Sequence, residues 1–277
     1  MAKAYKVKFS FLLIPFLLPV AACHQRQEVP SDGPNYTLVD EYDGIVVELF
    51  DSSVVDENRY NFNNKIFRGG TEFIYSYSYI SPSGSELSFK TTDNGWEFIS
   101  PDSSDQATIT NITIKALSGQ NNRPEYKQTV ISYQLTPQTT FSISGAIENE
   151  ANLWVHPPRD YLFRILELNP FPYVKFPLAV GKSWNWKLVF GPHWGDERWV
   201  TWEGNKENDI TYTVTGSDIK DTKWGELLCY EIEAIASSEL GETKLTSIFN
   251  EEVGFLELNY LNIDESQIRL ILIDKID

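Results

Sequence analysis

From Thr71 to Ile80 the chain alternates: Phe73, Tyr75, Tyr77 and Tyr79 fall on one side, Ile74, Ser76 and Ser78 on the other. Ser183 to Phe190 does the same, setting Trp184, Trp186, Leu188 and Phe190 opposite Ser183, Asn185, Lys187 and Val189. A period of two, carried by aromatic and β-branched residues, predicts strands buried on one face. Shorter runs predict further strands at Gly44–Phe50, Glu86–Thr91, Ala107–Ala116, Lys127–Leu135 and Thr139–Ile147. Others follow at Trp199–Glu203, Ile210–Thr215, Leu227–Ala236, Thr243–Phe249, Phe255–Tyr260 and Ile268–Ile276. Turn residues part them, at Pro82-Ser83-Gly84, Asp93-Asn94-Gly95, Gly119-Gln120-Asn121-Asn122 and Glu203-Gly204-Asn205. Asn94-Gly95 is a two-residue hairpin signal. Helical periodicity is nearly absent; Asp160–Leu168, stopped before Pro170, is the best helical candidate, with another strand as its alternative. The fold class predicted is all-β, mainly antiparallel sheet in a sandwich or open half-barrel, with at most one or two short helices.

The segment Leu153–Pro177 interrupts the succession of strands. It holds Pro157, Pro158, Pro170, Pro172 and Pro177, but also Trp154, Tyr161, Phe163, Phe171, Tyr173 and Phe176. A disordered linker would not carry so many large apolar groups. An ordered crossing over a sheet edge, or between two sheets, is expected. It divides an N-terminal β region, 36–150, from a C-terminal one, 151–277, with one continuous domain as the alternative.

The first residues follow another pattern. Lys3, Lys6 and Lys8 precede an apolar run from Phe9 through Ala22, broken only by Ser10, Pro15 and Pro19. A positive start, a short apolar stretch and small residues before a cut are what a signal peptide requires. A spanning helix needs about 20 apolar residues, more than this run has. Val20-Ala21-Ala22-Cys23 resembles the cleavage box of bacterial lipoproteins. The resemblance implies that residues 1–22 are removed, that Cys23 takes the lipid, and that 23–35 is a short polar tether. Two or three acyl chains anchor stably, since each buried methylene contributes about 0.8 kcal/mol. His24 in place of aspartate after the cysteine implies the outer membrane rather than retention at the inner one. An ordinary signal peptide cut nearby, leaving Cys23 an incidental thiol, is the alternative.

Loss of residues 1–22 leaves 255 residues and takes the formal charge from −16 to −19 through three lysines. So acidic a chain repels phosphate backbones, which excludes nucleic acid as an expected partner. Two cysteines are present; with Cys23 committed to lipid, Cys229 stands alone in Leu227-Leu228-Cys229-Tyr230, a buried thiol or a nucleophile. No disulfide is expected, so the core must hold the fold.

Little in the chain suggests catalysis. The histidines are His24, His156 and His193, and neither a His-Glu-x-x-His pair nor a Gly-x-Ser-x-Gly elbow occurs. Gly181-Lys182-Ser183 ends like a phosphate-binding loop, but Phe176 stands where its first glycine belongs. The acidic groups Asp40/Glu41/Asp43, Asp196/Glu197 and Glu251/Glu252 read as loop charges, with a carboxylate-dependent glycan hydrolase as the weakest alternative. No catalytic residue, metal ligand or cofactor is therefore expected. What remains is aromatic. Trp184, Trp186, Trp194, Trp199 and Trp202 fall within nineteen residues, among His193, Asp196, Glu197 and Arg198. Alternation assigns Trp184 and Trp186 to a core. Trp194, in the loop Gly191-Pro192-His193-Trp194-Gly195, is the candidate for an exposed ring, and His193, Trp199 and Trp202 are its candidate neighbours in a ligand platform. Packing at the core or rim is the alternative.

Phe176-Pro177-Leu178-Ala179-Val180-Gly181-Lys182-Ser183-Trp184, Gly225-Glu226-Leu227-Leu228-Cys229-Tyr230 and Asn250-Glu251-Glu252-Val253-Gly254-Phe255-Leu256 resemble segments of the TapB-like secreted β domains of bacteria. The likeness runs from about Trp154 to Tyr260, and composition resembles the surface lipoproteins of Bacteroidota. It implies an antiparallel β fold in the cell envelope and no particular activity. The expected role is a lipid-anchored, non-catalytic binding or scaffolding domain, with a glycan, a lipid or an envelope protein as ligand. A carrier of lipids or lipoproteins, with a concave apolar sheet, is the alternative.

Overall fold

The computed structural model describes residues 36–42, 44–50, 64–117 and 127–277. Cys23, the segments 1–22 and 23–35, and the turn at 119–122 lie outside the described residues. In chain order the strands are β1 (Tyr36–Tyr42), β2 (Ile45–Phe50), β3 (Glu72–Ile80), β4 (Glu86–Thr92), β5 (Gly95–Ile99), β6 (Asn111–Ala116), β7 (Thr129–Thr136) and β8 (Phe141–Glu148). They continue as β9 (Asn152–Val155), β10 (Tyr173–Lys175), β11 (Ser183–Phe190), β12 (Lys206–Thr222), β13 (Gly225–Ser238), β14 (Gly241–Asn250), β15 (Gly254–Leu261) and β16 (Gln267–Ile276). Among the described residues two 3-10 helices, Tyr161–Leu168 and Pro192–Trp194, interrupt them. The fold is all-β.

One 14-stranded antiparallel sheet carries the molecule, in the order β10-β9-β8-β7-β6-β3-β16-β15-β14-β13-β12-β11, with β4 and β5 as a flap on β3. Because β3 pairs with β16, Tyr77 opposite Leu270, regions 36–150 and 151–277 share this sheet. Alternation decides which face turns inward. Phe73, Tyr75 and Tyr79 of β3 are buried, as are Trp184, Trp186 and Phe190 of β11, while the residues that alternate with them meet solvent or partial cover.

Strand β9 breaks that rule, since all four of its residues are buried. On one face Trp154 meets Phe171 at 5.9 Å and Trp186 of β11 at 6.0 Å between ring centroids. On the other, Val155 joins Tyr75, Ile112, Tyr133 and Leu270 around a shared apolar space. The sheet has rolled its own end inside. Strands covered on both faces read as continuous apolar runs, and Leu153-Trp154-Val155 is one.

The helix Tyr161–Leu168 crosses this interior. Phe163 packs edge-on against Tyr77 and Phe89, at 5.5 and 5.7 Å. At the far end, the Leu168 carbonyl accepts from Asn208 Nδ2 (2.9 Å) and Thr243 Oγ1 (3.0 Å), and Asn169 Nδ2 donates to the Leu261 carbonyl. Side chains of the sheet thus satisfy backbone groups that a helix end leaves open. Glu148 does a similar service for the segment before β3. Its carboxylate accepts from the N–H groups of Lys65, Ile66 and Phe67 at 2.7, 2.9 and 2.8 Å, and Phe67 is buried against Phe73.

The β1–β2 hairpin closes over the inner strands. Val46 donates its N–H to Asn152 Oδ1 (2.7 Å) and accepts from Asn152 Nδ2 and Asn149 Nδ2, so two asparagine amides stand in for a strand ladder. Gly44 accepts from the Tyr173 hydroxyl at 2.6 Å. It has φ +108°, and a Cβ there would lie 3.2 Å from Lys175 Nζ and 3.5 Å from the Asn185 carbonyl, so a side chain would meet both β10 and β11.

Several elements differ from the sequence reading. Trp199–Glu203 is a loop rather than a strand, because the chain turns back at once: Asp196 N–H donates to the Val200 carbonyl. The crossing Leu153–Pro177 contributes two strands, β9 and β10, beside its helix. The β12–β13 hairpin extends to a two-residue turn at Lys223-Trp224, where Lys223 Nζ donates to the Ile273 carbonyl and to Asp274.

If the interior strand organises the fold, Trp154→Ala lowers the unfolding free energy by about 3–5 kcal/mol, the usual loss for a buried aromatic. Val189→Ser on the outer face of β11 changes it by less than about 0.5 kcal/mol. Urea unfolding followed by tryptophan fluorescence measures both, and equal losses would refute the assignment.

Candidate functional site

The loop after β11 holds the predicted aromatic residues. His193 and Trp194 form the short helix Pro192–Trp194; His193 is exposed, and Trp194, Trp199 and Trp202 are half-buried. Gly195 lets the chain turn tightly: a Cβ there would fall 3.0 Å from the Val200 carbonyl and 3.1 Å from the Trp202 ring. The turn brings Trp199 back, so that its Nε1 donates to the Trp194 carbonyl at 3.4 Å. The His193 and Trp194 rings lie 4.6 Å apart. Trp202 does not join them. Its ring packs edge-on to Phe190 at 5.4 Å, and its Nε1 is buried without a partner among the described residues.

Arg198 organises this rim. Its Nε and Nη2 donate to the two oxygens of Asp196 at 2.7 and 2.6 Å, a bidentate pair of the strong kind. The same guanidinium lies 3.9 Å from the centroid of Trp96 and 5.7 Å from that of Trp199, and Nη1 donates to the Trp96 carbonyl. Arg198 holds the Asp196 carboxyl below the usual carboxylate range. Arg164, from the long 3-10 helix, lies over Trp194 at 5.7 Å. Trp96 and Arg164 escaped sequence reasoning. Trp96 stands 102 residues from Arg198, and only the β4–β5 flap brings it there. Cation–π contacts at such exposed sites contribute about 0.5–1 kcal/mol each. They fix side chains in place more than they hold the fold.

Asp196 is committed to Arg198. Glu251 and Glu252 lie in a turn whose N–H groups at Glu252 and Val253 are capped by Asn250 Oδ1. Cys229 is buried, and burial pushes its thiol up, away from the thiolate. The apolar space between Tyr75, Tyr133 and Tyr260 measures about 20 Å³, room for about one water and far too little for an acyl chain.

A buried acid–base pair, missed in the sequence, lies behind β9. His156 Nε2 stands 3.3 Å from Glu167 Oε1, short of a well-formed hydrogen bond, while His156 Nδ1 faces the Pro157 carbonyl at 2.8 Å. That carbonyl requires the proton on Nδ1, which leaves Nε2 an acceptor. The separation alone would suit an ion pair, but burial favours the neutral form of each group. It lowers His156 to about 4 and raises Glu167 to about 7.

The two shifts act in opposite directions on stability. Between its ordinary 4.5 and about 7, Glu167 binds its proton more tightly in the folded chain, so its contribution falls as pH rises. Between about 4 and 6.5, His156 binds its proton more tightly in the unfolded chain, so its contribution grows. In the native protein they offset each other across the shared interval. Glu167→Gln should therefore gain stability as pH rises through that range, and His156→Gln should lose it. Urea unfolding at stepped pH reads both slopes; parallel profiles for the two variants would contradict the assignment.

No protein-family model and no curated protein matches the chain. Among solved structures it is similar to an exported protein of YmcC-like fold from Bacteroides fragilis NCTC 9343, at 9% identity and TM-score 0.40, covering 76% of this chain and 97% of that one. It is also similar to the hypothetical lipoprotein YmcC of Escherichia coli K12, at 9% identity and TM-score 0.34, over 78% of this chain and 92% of that one.

Proposed function

We propose that the chain is an envelope lipoprotein, held in the outer membrane through lipid on Cys23, whose β domain is a non-catalytic binding or scaffolding module. Its contact surface is the rim of His193, Trp194, Trp199, Trp96 and Arg198, and its partner is another envelope protein. The supporting observation is Arg198, fixed by Asp196 from one side and stacked on Trp96. Arginine and tryptophan held rigid before contact are what the centres of protein interfaces use, because little rotamer entropy is lost on binding. The protein's own guanidinium occupies the Trp96 face, which argues against saccharide stacking there. The filled interior gives the lipid-carrier alternative no support.

A photo-crosslinking residue at His193 should yield discrete protein adducts in intact cells, and one at Val189, 58% exposed on β11, should not. Trp194→Ala should remove those adducts without altering the melting temperature. Identical adducts from both positions would reject the rim as the contact surface. For the anchor, Cys23→Ser should abolish incorporation of labelled fatty acid into the protein and leave residues 1–22 uncleaved. Labelling and processing of that variant as in the parent chain would overturn lipidation at Cys23.

A further inference from the structure

In the helix Tyr161–Leu168, Leu162, Phe163, Ile165 and Leu166 are buried, and Arg164 in their midst is half-buried. The helix packs beside both β5 and the short helix Pro192–Trp194, which sets the Arg164 guanidinium at the rim, 5.7 Å from the Trp194 ring. Asp160 and Glu167 stand four and three residues away, the spacing of helical ion pairs. Arg164 nevertheless forms no ion pair and no hydrogen bond among the described residues. Its Nε is buried without a partner; Nη1 and Nη2 have none either but are not buried, so the far edge of the guanidinium opens outward. Asp196, whose carboxyl is held low by Arg198 first and by Arg164 at longer range, spends both oxygens on Arg198. Burial pushes the Glu167 carboxyl up to about 7 against the pull of Arg159 and Arg164. A partly desolvated cation without a partner opposes folding, and an apolar side chain would pack there at less cost. Folding alone does not account for Arg164.

We infer that Arg164 is the anion-binding residue of the rim, and that its ligand is the side-chain carboxylate of an aspartate or glutamate on the protein partner. The inference rests on the reading of the rim as a protein contact surface and names the chemistry that surface takes. With Nε closed off, the guanidinium binds end-on through Nη1 and Nη2, whose parallel N–H groups match the two oxygens of a carboxylate. Much of its water is already gone, so an arriving anion meets a smaller further desolvation cost. Charge favours a monoanion. Arg198 is balanced by Asp196, which leaves the rim one unpaired cation, and Glu197, exposed in the same loop, repels a dianion. Phosphodiester oxygens also share one charge, but they are less basic and accept more weakly. In a chain of formal charge −16, which repels acidic partners as a whole, an open guanidinium fixes where such a partner can touch.

Side-chain NMR tests the inference on the full-length protein in non-ionic detergent, through the Arg164 Nε–H resonance, assigned by its loss in Arg164→Lys. The probes are N-acetylglutamate N-methylamide, its neutral counterpart N-acetylglutamine N-methylamide, inorganic phosphate and dimethyl phosphate. The glutamate probe should shift the resonance saturably, the glutamine probe should not, and both phosphates should bind more weakly. No saturable shift, or an equal shift by the glutamine probe, would overturn the proposal; tighter binding of either phosphate would overturn the ligand class. In intact cells, the photo-crosslinking residue at His193 reads the partner. Arg164→Met should keep the melting temperature and cut those adducts about tenfold or more, the range for a lost charge-assisted hydrogen bond. Should that variant not fold, the glutamate titration still decides. A carbodiimide should join the amine introduced by Arg164→Lys to an aspartate or glutamate of the same adduct protein. If His193 gives no adducts, the rim reading fails and this inference with it. If adducts persist undiminished in Arg164→Met, or the amine joins this chain alone, the inference fails and the rim reading stands.

Discussion

The fold depends on one short strand having apolar cover on both faces. Strand β9 is an inner member of the sheet by hydrogen bonding, between β8 and β10, and an interior element by packing. Tryptophan on one side and leucine and valine on the other can be buried together only if the sheet curls until β11 meets Trp154. The remaining arrangements follow. The rolled sheet leaves a space that the helix Tyr161–Leu168 fills, and a lip that the β1–β2 hairpin closes. The cost of enclosing so much backbone falls on its polar groups, which water can no longer reach.

Side chains meet that demand at each weak point. Asn152 and Asn149 pair with Val46, Glu148 gathers three N–H groups, and Asn208 and Thr243 cover the Leu168 carbonyl. Each is a buried polar residue that would be expensive anywhere else. Together they explain how many polar side chains can sit in an aromatic interior. His156 and Glu167 solve the same problem differently, by remaining uncharged.

Long half-buried strands were legible in the sequence because period-two alternation is a local signal. The inward set of β3 and that of β11 were read residue by residue. Strands β9 and β10, with four and three residues, are too short for any period to show. Their burial on both faces also erases the alternation that betrays longer strands. The helix was legible as a segment, but the choice between helix and strand was not, since its inward residues suit both. At the rim, the sequence placed His193, Trp194 and Trp199 together because they share one loop. It also grouped Trp202 with them, and a single turn at Gly195 sends that ring elsewhere. Trp96 arrives from a distant hairpin, and no spacing rule reaches across 102 residues. Arg164 was missed for another reason: Asp160 and Glu167, four and three residues away, look like its helical partners until its guanidinium is seen to pair with neither.

The pairing of β3 with β16 has a consequence for how the chain reaches its final state. Ser76 and Ile271, neighbours across the middle of the sheet, are 195 residues apart in sequence. Hairpins can form as the chain lengthens, but the two wings of the sheet have no common seam until residues near 270 arrive. Contacts this distant are slow to form, because most of the chain must be ordered before they return anything. A polypeptide threaded across a membrane N-terminus first would stay unable to close its sheet until nearly all of it had crossed. In a chain exported that way, the order of strands would act as a timer, keeping it pliable during passage and letting it lock only on arrival.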